Sequence, residues 1–179
     1  MGLKFEDLIP PVRLLMVDEI TMDEQRGKIS LSVWLQQRAQ GNWPDALRDA
    51  AKVGNDDTLA AFIQQAQMLV DRIQKQKPKG GYTFARLPHN AHQVLAEIEF
   101  NNYFCRGLSQ YAIQSGIERL QVYRAKAVAQ PRPESESKIG LLVDPNIILT
   151  DLRASVGFET ALGIPPGPGT GITLRIPKD

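Results

Sequence analysis

The chain of 179 residues has one cysteine, two histidines and no apolar run of 18 residues. The single cysteine, Cys105, excludes an internal disulfide framework and favours a reducing compartment or an assembly that needs no disulfides. The lack of a long apolar run excludes a membrane-spanning helix. The first residues lack the apolar core of a signal peptide, and Glu6 stands where an N-myristoylation signal has Ser or Thr. We therefore expect a cytoplasmic location and no contact with a membrane.

The chain also has almost no net charge: 21 basic and 20 acidic side chains leave +1. A whole-chain preference for nucleic acid or for an anionic membrane is therefore not expected. The distribution is uneven, because residues 75–133 carry nine basic and three acidic side chains, whereas both flanking segments are acidic. Such a segment is suited to neutralising phosphates or to contacting acidic surfaces of neighbouring subunits. A solvated basic face that packs beside acidic flanks of the same molecule is the plainer interpretation.

Hydrophobic periodicity predicts an α+β fold that is predominantly helical. The predicted helices of the N-terminal part share an apolar spacing of three or four residues and cover residues 12–27, 42–52 and 59–73. The last of these is one stripe of nearly five turns, which is typical of a core or a partner-facing surface. Alternation of apolar and polar residues predicts a short half-buried strand over residues 29–35, with a helical turn as the alternative for its end at residues 35–39.

The C-terminal part is predicted to contain one long central helix and a small sheet. Its predicted elements are an edge strand before Pro88, the helix from Asn90 to Gly116, a strand over residues 120–126 and a helix that begins at Asp144. Gly107 lies in the middle of the long helix, where glycine costs about 1 kcal/mol of stability relative to alanine. This cost predicts that another backbone or an aromatic ring approaches the helix closely at Gly107.

These elements suggest four regions. Residues 1–74 form an N-terminal helical region, and residues 75–81, rich in Lys, Pro and Gly, form a basic hinge or boundary. Residues 82–163 hold the long helix and the small sheet. Residues 164–179 form an extended arm in which Ile172, Leu174 and Ile176 alternate with other residues. We expect this arm to add as a strand to the sheet of another chain.

Constellations for catalysis, metals and cofactors are missing from the sequence. His89 and His92 lack a third and fourth ligand on their helix face, so a zinc site is not predicted. Cys105 is about 20 Å from His92 along the predicted helix and is expected to be a buried small hydrophobe. The glycine-rich run 165–171 lacks the lysine and the following helix of a phosphate-binding loop. The sequence predicts a protein that is not an enzyme and holds no cofactor.

The polar residues that stand out lie between Glu99 and Gly140. Glu99, Asn102, Tyr103 and Arg106 share one helix face. Four interpretations of this face are open. It is a polar network that pins the helix to a strand, an interface with a partner protein, a phosphate-binding surface or a catalytic site. The candidate interface or phosphate-binding residues are Lys75, Lys77, Lys79, Arg106, Arg119, Tyr123, Arg124, Lys126 and Arg132.

Several short segments resemble a small group of proteins encoded in phage and prophage regions. These segments are EFN (99–101), RGL (106–108), VYRAK (122–126), PRPESE (131–136) and LGIPPGP (162–168). The order of helix, glycine and strand is also similar to the minor head-protein domain of tailed phages, whose Asp-Arg-Thr-Cys turn is absent here after Tyr123. The resemblance implies a non-enzymatic structural or assembly subunit of a phage-like particle, present in the host cytoplasm and then in the virion.

The partners implied by this resemblance are further copies of the chain or other particle proteins. Nucleic acid is the alternative partner, because the basic segment 75–133 supplies cations for phosphates. Arg86 belongs to the same set of cations.

Overall fold

A computed structural model describes residues 2–78, 80–155, 160, 162–165, 167 and 169–178. Helices make up 47% of the described residues and two small sheets 14%, so the fold is α+β and mainly helical, as predicted. In chain order the elements are α1 (Pro10–Gln25), α2 (Gln37–Gln40), α3 (Trp43–Val53), α4 (Asp56–Gln65), β1 (Arg72–Gln76), β2 (Tyr82–Arg86), α5 (Ala91–Gln114), β3 (Leu120–Arg124), α6 (Pro133–Glu136), β4 (Leu142–Val143), α7 (Pro145–Ala154) and β5 (Ile172–Arg175).

Helix α4 ends at Gln65, about two turns before its predicted end at Ile73. Gln67 has a φ of 48°, and the closing hydrogen bonds run from Gln67 N to Gln64 O and from Met68 N to Ile63 O. This is a Schellman motif, in which buried Met68 packs into the same core cluster as Ile63. A glutamine occupies the left-handed position that glycine usually takes, so the sequence carried no stop signal. The predicted continuous stripe to Ile73 is therefore wrong, and Ile73 lies in β1.

The predicted strand over residues 29–35 is also wrong. Of these residues only Leu35 makes a β-bridge, to Leu69, and residues 33–34 form a turn. Leu31 and Val33, which were expected on the buried face, are exposed. Apart from this bridge, residues 29–35 pair with no strand in the part of the chain that the structure describes, so their alternation does not produce a ladder.

Helix α5 is the central element, and its predicted start and end are confirmed. The helix packs against α1, α4 and α7, and Gly116 ends it with a φ of 70°. A Cβ atom at Gly107 would lie 2.7 Å from Met16 Cγ and 2.9 Å from Val12 O, so α1 approaches this point closely. The cost of the mid-helix glycine therefore has the predicted cause.

The C-terminal arm folds onto its own chain. Strand β5 pairs antiparallel with β3, which also pairs with β4, in the order β4-β3-β5. Ile172 and Leu174 are buried in the core, and the Ile176 N–H donates to Asp7 Oδ2 at 2.8 Å. The prediction that this arm pairs with another chain is wrong, because β3 offers a free edge within the same molecule. Pro166 and Pro168 of the arm lie outside the described residues.

Residues on both sides of the segment 75–81 share one hydrophobic core. That core includes Trp43 and Ile63 from the N-terminal part, Phe104 from α5 and Leu174 from β5. Lys75 and Gln76 complete β1, and the turn of the β-hairpin includes Lys77, Gly80 and Gly81, of which both glycines have a positive φ. The predicted hinge is thus a hairpin turn and does not separate two cores.

Candidate nucleic-acid interface

The hairpin of β1 and β2 presents one fully exposed face. Since directly opposite residues of an antiparallel pair lie on the same side, the register assigns six side chains to this side. We call it the hairpin face: Arg72 opposite Arg86, Gln74 opposite Phe84, and Gln76 opposite Tyr82. All six are exposed, and Tyr82 and Phe84 are exposed by 65% and 69%. The opposite side holds Ile73 and Ala85, which are half-buried.

The hairpin is strongly basic. Residues 72–86 contain five basic and no acidic side chains, of which Lys79 lies outside the described residues. No ion pair joins Arg72, Lys75, Lys77 or Arg86 to a carboxylate in the part of the chain that the structure describes. Like charges directly opposite each other destabilise a sheet, as Arg72 and Arg86 are placed here. The local fold gives no reason for this arrangement, which suits the binding of an anion.

A polar groove of about 580 Å³ lies at the base of the hairpin. It lies between the end of α4 and the start of α5 and holds both histidines of the chain, His89 and His92. Its other polar lining residues are Gln36, Gln64, Gln67 and Asp71. Arg38 lies beside it and donates to Gln36 Oε1 at 2.6 Å and to Gln67 O at 3.3 Å. The groove extends the polar surface beyond the hairpin face.

Four of the predicted phosphate-binding residues are engaged elsewhere. Arg106 and Tyr123 are buried, and the Tyr123 hydroxyl donates to Lys4 O at 2.6 Å. Arg124 pairs with Glu136 and donates to Thr170 O at 2.6 Å, and Lys126 pairs with Glu97. Tyr123, Arg124 and Lys126 hold β3 and the residues after it to their neighbours, and Arg106 joins helices. Binding phosphate would require breaking these contacts.

The other predicted cations that the structure describes are exposed, and Lys79 lies outside the described residues. Lys75 and Lys77 lie on the hairpin, whereas Arg119 precedes β3 and Arg132 precedes α6. The structure thus places only part of the predicted set on one surface. Arg72, Tyr82, Phe84 and the three glutamines of the groove were not predicted as site residues. The signal that could have found them is the pairing of two short strands around Gly80-Gly81, which sets aromatic and arginine side chains on the same face of the hairpin.

The polar face of α5 forms a buried ionic cluster. Arg106 donates from Nε to Glu19 Oε2 at 2.7 Å and through Nη1 and Nη2 to both oxygens of Asp23 at 2.6 and 2.9 Å. Arg153 of α7 also pairs with Glu19, and the Tyr103 hydroxyl donates to Asp23 at 3.1 Å. Of the four interpretations of this face, a polar network that pins the helix to its neighbours agrees best with these contacts. The cluster joins α1, α5 and α7, whereas a strand was the expected partner.

Electrostatics in this cluster favours the charged state of its pairs. Burial alone lowers the pKa of Arg106, but hydrogen bonds and charges from Asp23 and Glu19 outweigh it and raise the pKa. Burial raises and the two arginines lower the pKa of Glu19, with a net decrease. Glu99 lies beside the cluster, and burial raises its pKa to about 7 against one hydrogen bond from Ser30. The adjoining cavity of about 10 Å³ has room for one water at most, so it cannot hold a substrate.

Other candidate chemistry finds no support in the described residues. Cys105 is buried beside Asn101 and Thr173, and burial raises the pKa of its thiol to about 12, which opposes a nucleophilic role. No group of three His, Cys, Asp or Glu side chains in the described ranges is placed to hold a metal ion. No helix among these residues is long and apolar enough to cross a bilayer.

Comparison of the chain with protein-family models, with curated proteins and with solved structures finds no match in any of the three. The resemblance to phage-encoded proteins therefore stays a prediction.

Proposed function

We propose that the chain binds nucleic acid through the hairpin face. One observation carries the proposal: two arginines and two aromatic rings are exposed side by side on a hairpin whose described cations have no carboxylate partner. Arginines bind phosphate oxygens bidentately, and glutamine amides hydrogen-bond to base edges. Exposed aromatic rings provide stacking surfaces for bases. The face therefore combines the three types of contact that nucleic acid offers.

A role as an assembly subunit of a phage-like particle has less physical support. That prediction depended on an arm which completes its hydrogen bonds on another chain. Strand β5 makes these bonds with β3 of its own chain. The hairpin face, in contrast, has no partner among the described residues that would account for its composition.

The proposal is tested by the salt dependence of binding. Fluorescence anisotropy would measure the affinity for labelled oligonucleotides, single-stranded and duplex, between 50 and 200 mM salt. Each phosphate neutralised lowers log K by roughly 0.7 to 0.9 per tenfold rise in salt. The double variant Arg72→Gln, Arg86→Gln should bind more weakly and have a slope smaller by roughly 1.4 to 1.8.

The matched control is the double variant Arg119→Gln, Arg132→Gln. It removes the same charge from exposed positions outside the hairpin. We expect it to keep nearly all of the wild-type affinity and slope. An affinity that does not change with salt, or a control that loses as much binding as the hairpin variant, would contradict the proposal.

A further inference from the structure

The two aromatic rings of the hairpin face have a spacing that distinguishes between forms of nucleic acid. Tyr82 and Phe84 are two residues apart on one strand and point to the same side. At about 3.4 Å per residue their attachment points are roughly 6.8 Å apart. Neither ring is covered by another part of the described chain, since about two thirds of each is exposed. The pair is therefore a platform for two flat groups at about this separation.

Duplex and single strand offer different surfaces to such a platform. In a duplex, successive bases are stacked about 3.4 Å apart, and their faces are hidden within the stack. Only base edges are open in the grooves, where hydrogen bonding identifies the sequence. In an unpaired strand the bases can unstack, and each base then has a free face for an aromatic ring.

The residues next to the two rings add hydrogen-bonding and charged groups to the platform. Gln76 lies opposite Tyr82 and Gln74 opposite Phe84, so each ring has one amide beside it. An amide in that position can hydrogen-bond to the edge of a base that is stacked on the ring. Arg72 and Arg86 follow at the end of the face away from the turn, where the next phosphates of the strand would lie.

We infer that the hairpin face binds an unpaired nucleic-acid strand, with two consecutive unstacked bases on Tyr82 and Phe84, in preference to a duplex. This inference depends on the proposed function and specifies its ligand. Two or three nucleotides span the face, with phosphates against the arginine pair.

The test compares a labelled 12-nucleotide single strand with the duplex of the same sequence, using anisotropy at 100 mM salt. Wild-type protein should bind the single strand at least tenfold more tightly. Tyr82→Leu and Phe84→Leu keep an apolar side chain but remove the ring, and each should weaken single-strand binding by about 5- to 150-fold. Duplex binding should hardly change. Tyr82→Phe, which keeps the ring, should retain the wild-type affinity.

Phe62→Leu is the matched control, because Phe62 is an exposed aromatic residue on α4, outside the hairpin. It should leave both affinities unchanged. Equal or tighter duplex binding that is insensitive to the leucine variants would overturn the inference and leave the proposed function standing. If the wild-type protein shows no salt-dependent binding to either the single strand or the duplex, both the inference and the proposed function are overturned. A change in oligomeric state caused by the leucine variants, without a change in binding, would identify the face as a protein interface and overturn the inference.

Discussion

Replacing Glu99 by glutamine should change how the stability of the fold depends on pH. Glu99 lies in α5 and is 5% exposed, and its Oε1 accepts a hydrogen bond from Ser30 Oγ at 2.9 Å. Burial raises its pKa from 4.5 to about 7, against this hydrogen bond. The cavity beside it is also lined by Asp23, Lys28 and Arg106. In the folded state the Glu99 carboxyl is therefore mostly protonated below about pH 7 and ionised above it.

The sign of the effect follows from this increase in pKa. A group whose pKa is higher in the folded state contributes stability that is complete below its unfolded pKa and is lost as the pH rises through its folded pKa. For Glu99 the loss begins near pH 4.5 and is complete above pH 7. At about 1.36 kcal/mol per pKa unit, its contribution to the free energy of unfolding falls by roughly 2 to 3 kcal/mol between pH 5 and pH 8.

Glutamine stays neutral between pH 5 and pH 8, so Glu99→Gln removes this contribution to the pH dependence of the free energy of unfolding. At pH 5 the variant should be equal to the wild type or less stable by up to about 1 kcal/mol, because a buried amide N–H₂ lacks a partner. At pH 8 it should be more stable by about 2 kcal/mol. Asp56, whose pKa burial raises to about 6, titrates in both proteins and cancels in the comparison.

Urea unfolding followed by circular dichroism at several pH values would measure these free energies. The comparison requires that the free energy of unfolding decreases with urea concentration at the same slope (the m value) in both proteins. Stability curves that run parallel from pH 5 to pH 8 would refute the reasoning, since they would show that Glu99 has an ordinary pKa in the folded state.

Two further predictions concern packing and use the same unfolding measurements. Gly107→Ala should destabilise the fold by roughly 1 to 3 kcal/mol despite the better helix propensity of alanine, because the new Cβ would lie 2.7 Å from Met16 Cγ; a stabilised variant would mean that α1 does not approach α5 so closely. Leu174→Ala should cost roughly 2 to 5 kcal/mol, because Leu174 is fully buried in the chain's own core. Unchanged stability of Leu174→Ala would mean that β5 is not docked on its own chain.

The sequence predicts elements whose ends carry proline or glycine. Gly27 after α1 and Gly116 after α5 mark the ends of their helices correctly, whereas α1 begins at Pro10, two residues before its predicted start. The end of α4 is missed because Gln67 takes the left-handed position without any compositional signal. Strand pairing is missed for a different reason. Whether β5 joins its own sheet or a neighbour's depends on where the chain returns in space, and alternation of apolar residues does not carry that information.

The candidate site is predictable only as a set of cations. Charge counting identifies the basic segment, but it cannot tell which cations already have partners. Arg106 meets Glu19, which is 87 residues earlier in the chain, and so leaves the set. Lys75 and Lys77 stay in it because neither pairs with a carboxylate of the described residues. The aromatic platform follows from register, which fixes Gln74 opposite Phe84 and is not visible before the strands are paired.

Amide hydrogen exchange with and without a saturating single-stranded 12-mer is the most direct test that the hairpin face is the binding surface. We predict that the oligonucleotide slows exchange across residues 72–86 and in the adjoining residues 87–92, and leaves α7 and β5 unchanged. Protection confined to other parts of the chain, with the hairpin exchanging as it does without the oligonucleotide, would contradict the account.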